Sequence, residues 1–270
     1  MKFISDICLA EYRKMIFHYN KTPIFYTQEG QGPALVLLHG FLGSSRMWIP
    51  FIPALSKKRT VVTIDLPGHG QSGCLGETHS MELMAEVVNA LLETLKIDQA
   101  SFVGHSMGGY ISLAFAEKYE AKMSAIILLN STPDKDSKEK IRKRERLLKI
   151  IPKSIDAFLS MAIVNLFSPE TKDQFVTEIG RLKKEALTFP VMGITAAMSG
   201  MKDRKDRTAV LKKFPRYKLI ISAKDDSLIP LALAKEMASA CGVPIKIVDG
   251  GHMSHLESYD EIVKIVHFIE

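Results

Sequence analysis

The chain has 270 residues, 46% of them hydrophobic and 24% charged, with a net charge of +6. That apolar content over that length buries one large core and excludes both a disordered chain and a disulfide-stapled mini-domain. The three cysteines, Cys8, Cys74 and Cys241, are odd in number and lack CxxC spacing, so free thiols in a reducing compartment, and a cytoplasmic location, are expected.

Met1 to Ala10 holds a short apolar run broken by Asp6, too short for a secretory signal, and no run reaches spanning length, so no membrane partner is expected. Arg13 to Tyr19 and Ile24 to Gln28 then read as two strands about the turn-prone Asn20-Lys21-Thr22-Pro23. Ala34 to Leu38 and Thr60 to Ile64 have the continuous apolar character of strands covered on both faces, with a helix expected over 45–56 between them. Met81, Met84, Ala85, Val88, Leu91, Leu92 and Leu95 recur at three and four residues, which predicts an amphipathic helix capped by Ser80. A strand over 100–105, a helix over 107–119 and a strand over 124–129 follow. This alternation implies an α/β fold with a mostly parallel sheet and right-handed crossovers.

From Asp134 to Lys213 the alternation gives way to charged helices with apolar stripes, such as Ile155, Phe158, Leu159, Ala162, Ile163 and Leu166, punctuated by Pro152, Pro169 and Pro190. The pattern predicts a helical cap, 134–213, inserted between two parts of a core domain, 1–133 and 214–270. Strand 217–222, helix 231–240, strand 244–248 and helix 259–268 complete that core. From Lys135 to Lys213 there are 19 Lys and Arg against 10 Asp and Glu, whereas the rest of the chain holds 17 against 20. The densest stretch, Lys135 to Lys149, reads as a solvated helix face. No aromatic residues interleave it, so no nucleic-acid partner is expected.

Gly104-His105-Ser106-Met107-Gly108 is a GxSxG pattern where an apolar strand meets a helix, a bend that would hold a serine exposed above the sheet. An acid and a base belong at the ends of later strands, where the loops of a parallel sheet converge. After strand 217–222 stand Asp225 and Asp226, and after strand 244–248 stand His252 and His255. The order Ser, Asp, His suits a catalytic triad with either member of each pair. HxxH at His252 and His255 lacks an HExxH helix or a Cys/His cluster, so no metal is expected. HGFLG after the first buried strand is not GxGxxG and no Walker lysine follows, so no nucleotide cofactor is expected.

LLHGFLGSS at 37–45, DLPGHGQS at 65–72, VGHSMGGY at 103–110, DDSLIP at 225–230 and GGHMSHLE at 250–257, in that order, resemble the α/β-hydrolase superfamily, in its cap-bearing, esterase-like branch. The resemblance covers nearly the whole chain, the cap only loosely. It implies Ser106 as nucleophile, His252 as base and Asp226, four residues before Pro230, as the acid. Asp225, Asp134 and His255 are the rivals. The backbone N–H groups of Phe41, directly after His39-Gly40, and of Met107 would form the oxyanion hole. His39 would brace its loop, His69 within Gly68-His69-Gly70 would belong to a turn that shapes a loop, and His105 would be structural. The implied activity is hydrolysis of small-molecule carboxylic esters through an acyl-enzyme, by a monomer or homodimer without cofactor, with Phe41, Trp48, Met107, Phe158, Leu166 and Phe167 as pocket walls. Within the same fold, a triad-dependent lyase, a thioesterase, a lactonase or a carbon–carbon bond hydrolase acting on an anionic metabolite are alternatives. The lyase relatives carry Arg where this chain has Tyr110. A non-catalytic ligand receptor on the same scaffold is the alternative of a different class.

Overall fold

The computed structural model describes residues 15–267. Expectations that touch 1–14 and 268–270, including Cys8, the apolar N-terminal run and the outer ends of the first strand and last helix, lie outside the described residues. Strands β1 (Met15–Tyr19), β2 (Thr22–Glu29), β3 (Ala34–Leu38), β4 (Thr60–Ile64), β5 (Ala100–His105), β6 (Met123–Leu129), β7 (Tyr217–Ala223) and β8 (Ile245–Val248) form one sheet in the order β1-β2-β4-β3-β5-β6-β7-β8. β2 is antiparallel to β1 and β4, and the remaining pairs are parallel. Tyr19 pairs with Thr22, so the first turn is only Asn20-Lys21, with φ of +48° and +67°. Two left-handed residues match the twist of a tight hairpin.

Successive strand residues point to opposite faces, and the continuous apolar runs thereby supply two cores. Val36, Leu38, Val62, Ile64, Phe102, Ile126 and Leu128 face one side; Leu35, Leu37, Val61, Val103, Ile127 and Leu129 face the other. Helix α1 (Ile52–Leu55) is all that is α-helical of the helix expected over 45–56. Ser45–Phe51 is a 3₁₀ helix with Pro50 inside it, a residue that removes an N–H donor, and Pro53 lies in the first turn of the short α1. Helix α2 (Met81–Thr94) begins where Ser80 Oγ accepts from Leu83 N–H at 3.1 Å. With α3 (Met107–Tyr119) it fills the first face.

Between β6 and β7 come α4 (Lys138–Ile150), α5 (Ile155–Val164), α6 (Val176–Ala186), α7 (Val191–Lys202) and α8 (Thr208–Lys213). α4 packs on α7 and α5 on α6, whereas α8 packs on α3 and α9 (Leu231–Cys241), in the layer that covers the sheet. Arg207, just before α8, is buried and pairs with Glu82 of α2 at 2.6 Å and Glu117 of α3 at 2.9 Å. Helices α10 (Ser254–Glu257) and α11 (Tyr259–His267) follow β8, and α11 covers the second face through Ile262 and Val266. Among the described residues no helix is long and apolar enough to cross a membrane.

The chain leaves β3 toward β4 and leaves β5 toward β6, in opposite directions across the sheet. Adjacent parallel strands whose connections diverge leave a crevice at their C-terminal ends. Leu38 lies opposite Gly104 there, so the loops that start at His39 and Ser106 border it.

Candidate active site

Ser106 takes φ +51° and ψ −114°, a region that costs a non-glycine residue about 1–3 kcal/mol. Its backbone is pinned on both sides: its N–H donates to Leu129 O at 2.9 Å, and its carbonyl accepts from Ser131 Oγ at 2.7 Å. A side chain at Gly108 would collide with the Leu38 backbone, which explains the glycine two residues on. The serine is thereby left partly exposed at the N-terminus of α3.

His252 Nδ1 lies 2.8 Å from Asp226 Oδ2, and both residues are buried. Asp226 Oδ1 accepts from the N–H groups of Leu228 at 2.8 Å and Ile229 at 3.0 Å, and Oδ2 also accepts from Asn130 Nδ2 at 2.8 Å. Burial alone would raise the pKa of this carboxyl. The charge and hydrogen bond of His252, with those from Asn130 and Ile229, outweigh burial and hold it down at about 2. Of the rivals, Asp225 is exposed and receives Ser168 Oγ at 3.3 Å, Asp134 receives Thr208 Oγ1 at 3.1 Å, and His255 is buried with no partner for its Nδ1. None of these joins the Asp226–His252 pair.

Two residues outside the sequence-derived set hold this pair in place. Asn130, at the end of β6, also accepts Ser254 Oγ at 2.5 Å and so ties Asp226 to the loop bearing His252. Asn130→Ala is expected to cost about 1.5–3 kcal/mol, the range for a hydrogen bond to a charged group, measured as a lower urea midpoint at unchanged slope. Glu257 of α10 accepts Gly251 N–H at 2.8 Å, Ser168 N–H at 3.0 Å and Thr171 Oγ1, clamping the His252 loop to the segment after α5. Gly250, at φ +91°, leaves the room this carboxylate needs.

His39 braces the loop that starts at the end of β3, with Nδ1 2.8 Å from Gly40 O and Nε2 accepting Leu66 N–H at 2.9 Å. Burial pushes its pKa down to about 4, so it is a neutral strut at pH 7. Phe41 follows on this loop. Among the described residues, the loop and turn hydrogen bonds include donors at Gly43, Gly109 and Tyr110 but none from Phe41 or Met107. His69 packs against Phe41 and Phe189, and His105 Nε2 lies 2.9 Å from His252 O. Among the described residues no group of three or more His, Cys, Asp or Glu could hold a metal ion.

Ser106 and His252 open onto a cavity of about 870 Å³ between the sheet and the inserted helices. Phe41, Phe158 and Leu166 line it as expected. Trp48, Met107 and Phe167 do not; they pack into the cores, Trp48 on the far side of the sheet with Phe51. Lys140, Lys143, Arg144 and Leu147, one face of α4, also line the cavity. Lys140 and Lys143 are exposed and α4 buries no residue, so the run is the expected solvated helix and it also borders the cavity.

The chain belongs to the α/β-hydrolase family: the model of the alpha/beta hydrolase fold matches residues 33–259. It is 27% identical over 243 residues, 86% of its length, to the dihydrolipoyllysine-residue acetyltransferase component of the acetoin cleaving system of Pseudomonas putida, but spans only 61% of that protein. To the pimeloyl-[acyl-carrier protein] methyl ester esterase of Aliivibrio salmonicida it is 24% identical, covering 91% of this chain and 95% of the relative. A thermophilic esterase from Thermogutta terrifontis superposes with a TM-score of 0.87 at 25% identity, over 95% of this chain and 97% of the other. The second and third of these relatives are named as esterases, the first as an acetyltransferase component.

Proposed function

We propose that the chain is a serine hydrolase that cleaves carboxylic esters of small molecules through an acyl-enzyme. The observation that carries this reading is a partly exposed, backbone-strained Ser106 sharing one cavity with a His252 that is already hydrogen-bonded to a buried Asp226. With Nδ1–H given to Asp226, the His252 ring presents Nε2 as the acceptor for the Ser106 hydroxyl proton. The serine oxygen then attacks the ester carbonyl. The tetrahedral oxyanion is met by the N–H groups of Phe41 and Met107, the latter at the positive end of α3. His252 returns the proton to the leaving alcohol, and water repeats the sequence to release the acid.

The helices α4 to α7 act as the cap of this site, and Phe41, Phe158 and Leu166 offer an apolar acyl pocket. The free thiols Cys74 and Cys241 support a reducing, cytoplasmic setting. The test is a chain-length panel of p-nitrophenyl esters and matched thioesters on purified protein. Ester turnover above the Ser106→Ala background is the expected result. Turnover of thioesters alone, or of nothing, would reject the carboxylesterase reading.

A further inference from the structure

The cavity is lined by charges that do not cancel. Toward α6 they balance, Arg46 and Arg181 against Glu178 and Glu185. Toward α4 they do not: Lys140, Lys143 and Arg144 line the cavity with a single carboxylate, Asp136, which also pairs with the buried Arg204. That carboxylate is fully shared, its Oδ2 with Arg144 Nε at 2.6 Å and its Oδ1 with Arg204 Nη1 at 2.6 Å. Asp136 has no exposed side-chain surface, and the Arg204 side chain is 3% exposed. Two guanidiniums share this one buried carboxylate, that of Arg204 buried and that of Arg144 19% exposed, and they leave a net positive charge at the cavity wall.

The remaining donors of Arg144 lack an oxygen acceptor among the described residues; its Nη1 faces the sulfurs of Met198 at 3.4 Å and Met201 at 3.8 Å, which are weak acceptors. Lys140, at the mouth of the same wall, has one partner for its ammonium, the carbonyl of Leu228 at 3.3 Å. Burial pushes its pKa down, and Arg204 and Arg144 add to that against the pull of Asp136. Resting on the ester-hydrolase reading above, we propose that the cavity takes esters whose acyl chain ends in a carboxylate, held by Arg144 and Lys140 while the ester carbonyl lies at Ser106. Tyr110, one helical turn past Ser106 and about 6 Å along α3, lines the same cavity as Arg144 and Lys140, and the proposed ligand is a half-ester of a medium-length dicarboxylic acid with its methylenes against Phe158 and Leu147.

Monomethyl adipate and methyl hexanoate test this, since the two differ only in whether the chain ends in carboxylate or methyl. In the unaltered protein, kcat/KM is expected to favour monomethyl adipate by about tenfold or more, as charge-assisted hydrogen bonds do. Lys140→Glu and Arg144→Gln are each expected to bring that ratio to about one or below, chiefly through KM. Calorimetric binding of the same two esters to Ser106→Ala gives a readout without turnover and is expected to show the same preference, lost when Lys140→Glu is added. Hydrolysis of both esters without preference, or a preference untouched by both variants, overturns the anion site and leaves the ester reading standing. Preferential binding of the charged ester without turnover of either leaves the anion site standing and rejects the ester reading.

Discussion

Ser106→Ala is expected to lower kcat for ester hydrolysis about 10⁴-fold or more while changing KM little. The size follows from the role: loss of the attacking oxygen removes the covalent route, and 10⁴ corresponds to about 5.5 kcal/mol of barrier. In the proposed mechanism what remains is stabilisation by the Phe41 and Met107 N–H groups of an oxyanion formed by water. Folding should gain slightly, because alanine has no hydroxyl, but the strained φ of +51° persists as long as Leu129 and Ser131 hold the backbone. The check is steady-state kinetics beside a urea melt. A variant retaining more than a few per cent of kcat would require another nucleophile.

Acidification to pH 5 is expected to unfold the protein or bring it to the edge of unfolding. His39 and His79 have pKa values pushed down to about 4, and His69 and His105 to about 3, each chiefly by burial; burial also holds His255 well below its ordinary value. In the unfolded chain these rings titrate near 6.5. Between those values the unfolded state binds more protons, so stability falls as pH drops from about 6.5 toward 4, by about 1.4 kcal/mol per pH unit per ring. At pH 5 the rings of His39, His69, His79 and His105 each cost about 2 kcal/mol, which together approach the whole stability of an ordinary domain, and His255 acts in the same direction. The chemistry is local as well: protonation of His39 Nε2 or His79 Nε2 destroys the acceptor for Leu66 N–H or Leu75 N–H. Far-UV circular dichroism across pH 8 to 3.5 should give a midpoint between about pH 4 and 6, and full structure at pH 4 would refute it.

What could be read from the residues alone was whatever local chemistry repeats along the chain. Ala34 to Leu38 had to be a doubly covered strand, and the GxSxG bend announced a serine held up by glycines, because Gly108 meets the Leu38 backbone wherever this turn forms. The histidines at 39, 69 and 105 were expected to be structural, and the structure finds each packed or hydrogen-bonded at the site, His39 and His69 in loops and His105 at the end of β5. Asn130 and Glu257 carried no such signal. Asn130 reaches Asp226 across 96 residues and Glu257 reaches Ser168 across 89, and periodicity says nothing about partners at that range. The α4 run shows the same boundary from the other side. Its spacing puts Lys140, Lys143, Arg144 and Leu147 on one face, yet only the docking of α4 on α7 reveals that this face borders a cavity. Proline explains the remaining departure, since Pro50 turns the expected helix after Ser45 into a 3₁₀ segment.

Incubation with a fluorophosphonate probe followed by peptide mapping tests the central claim most directly, because only a serine activated by a base is phosphonylated quickly. The account predicts a single adduct on Ser106, formed far more slowly in His252→Ala and not at all in Ser106→Ala. Absence of labelling in the unaltered protein, or an adduct on another serine that survives Ser106→Ala, would contradict it.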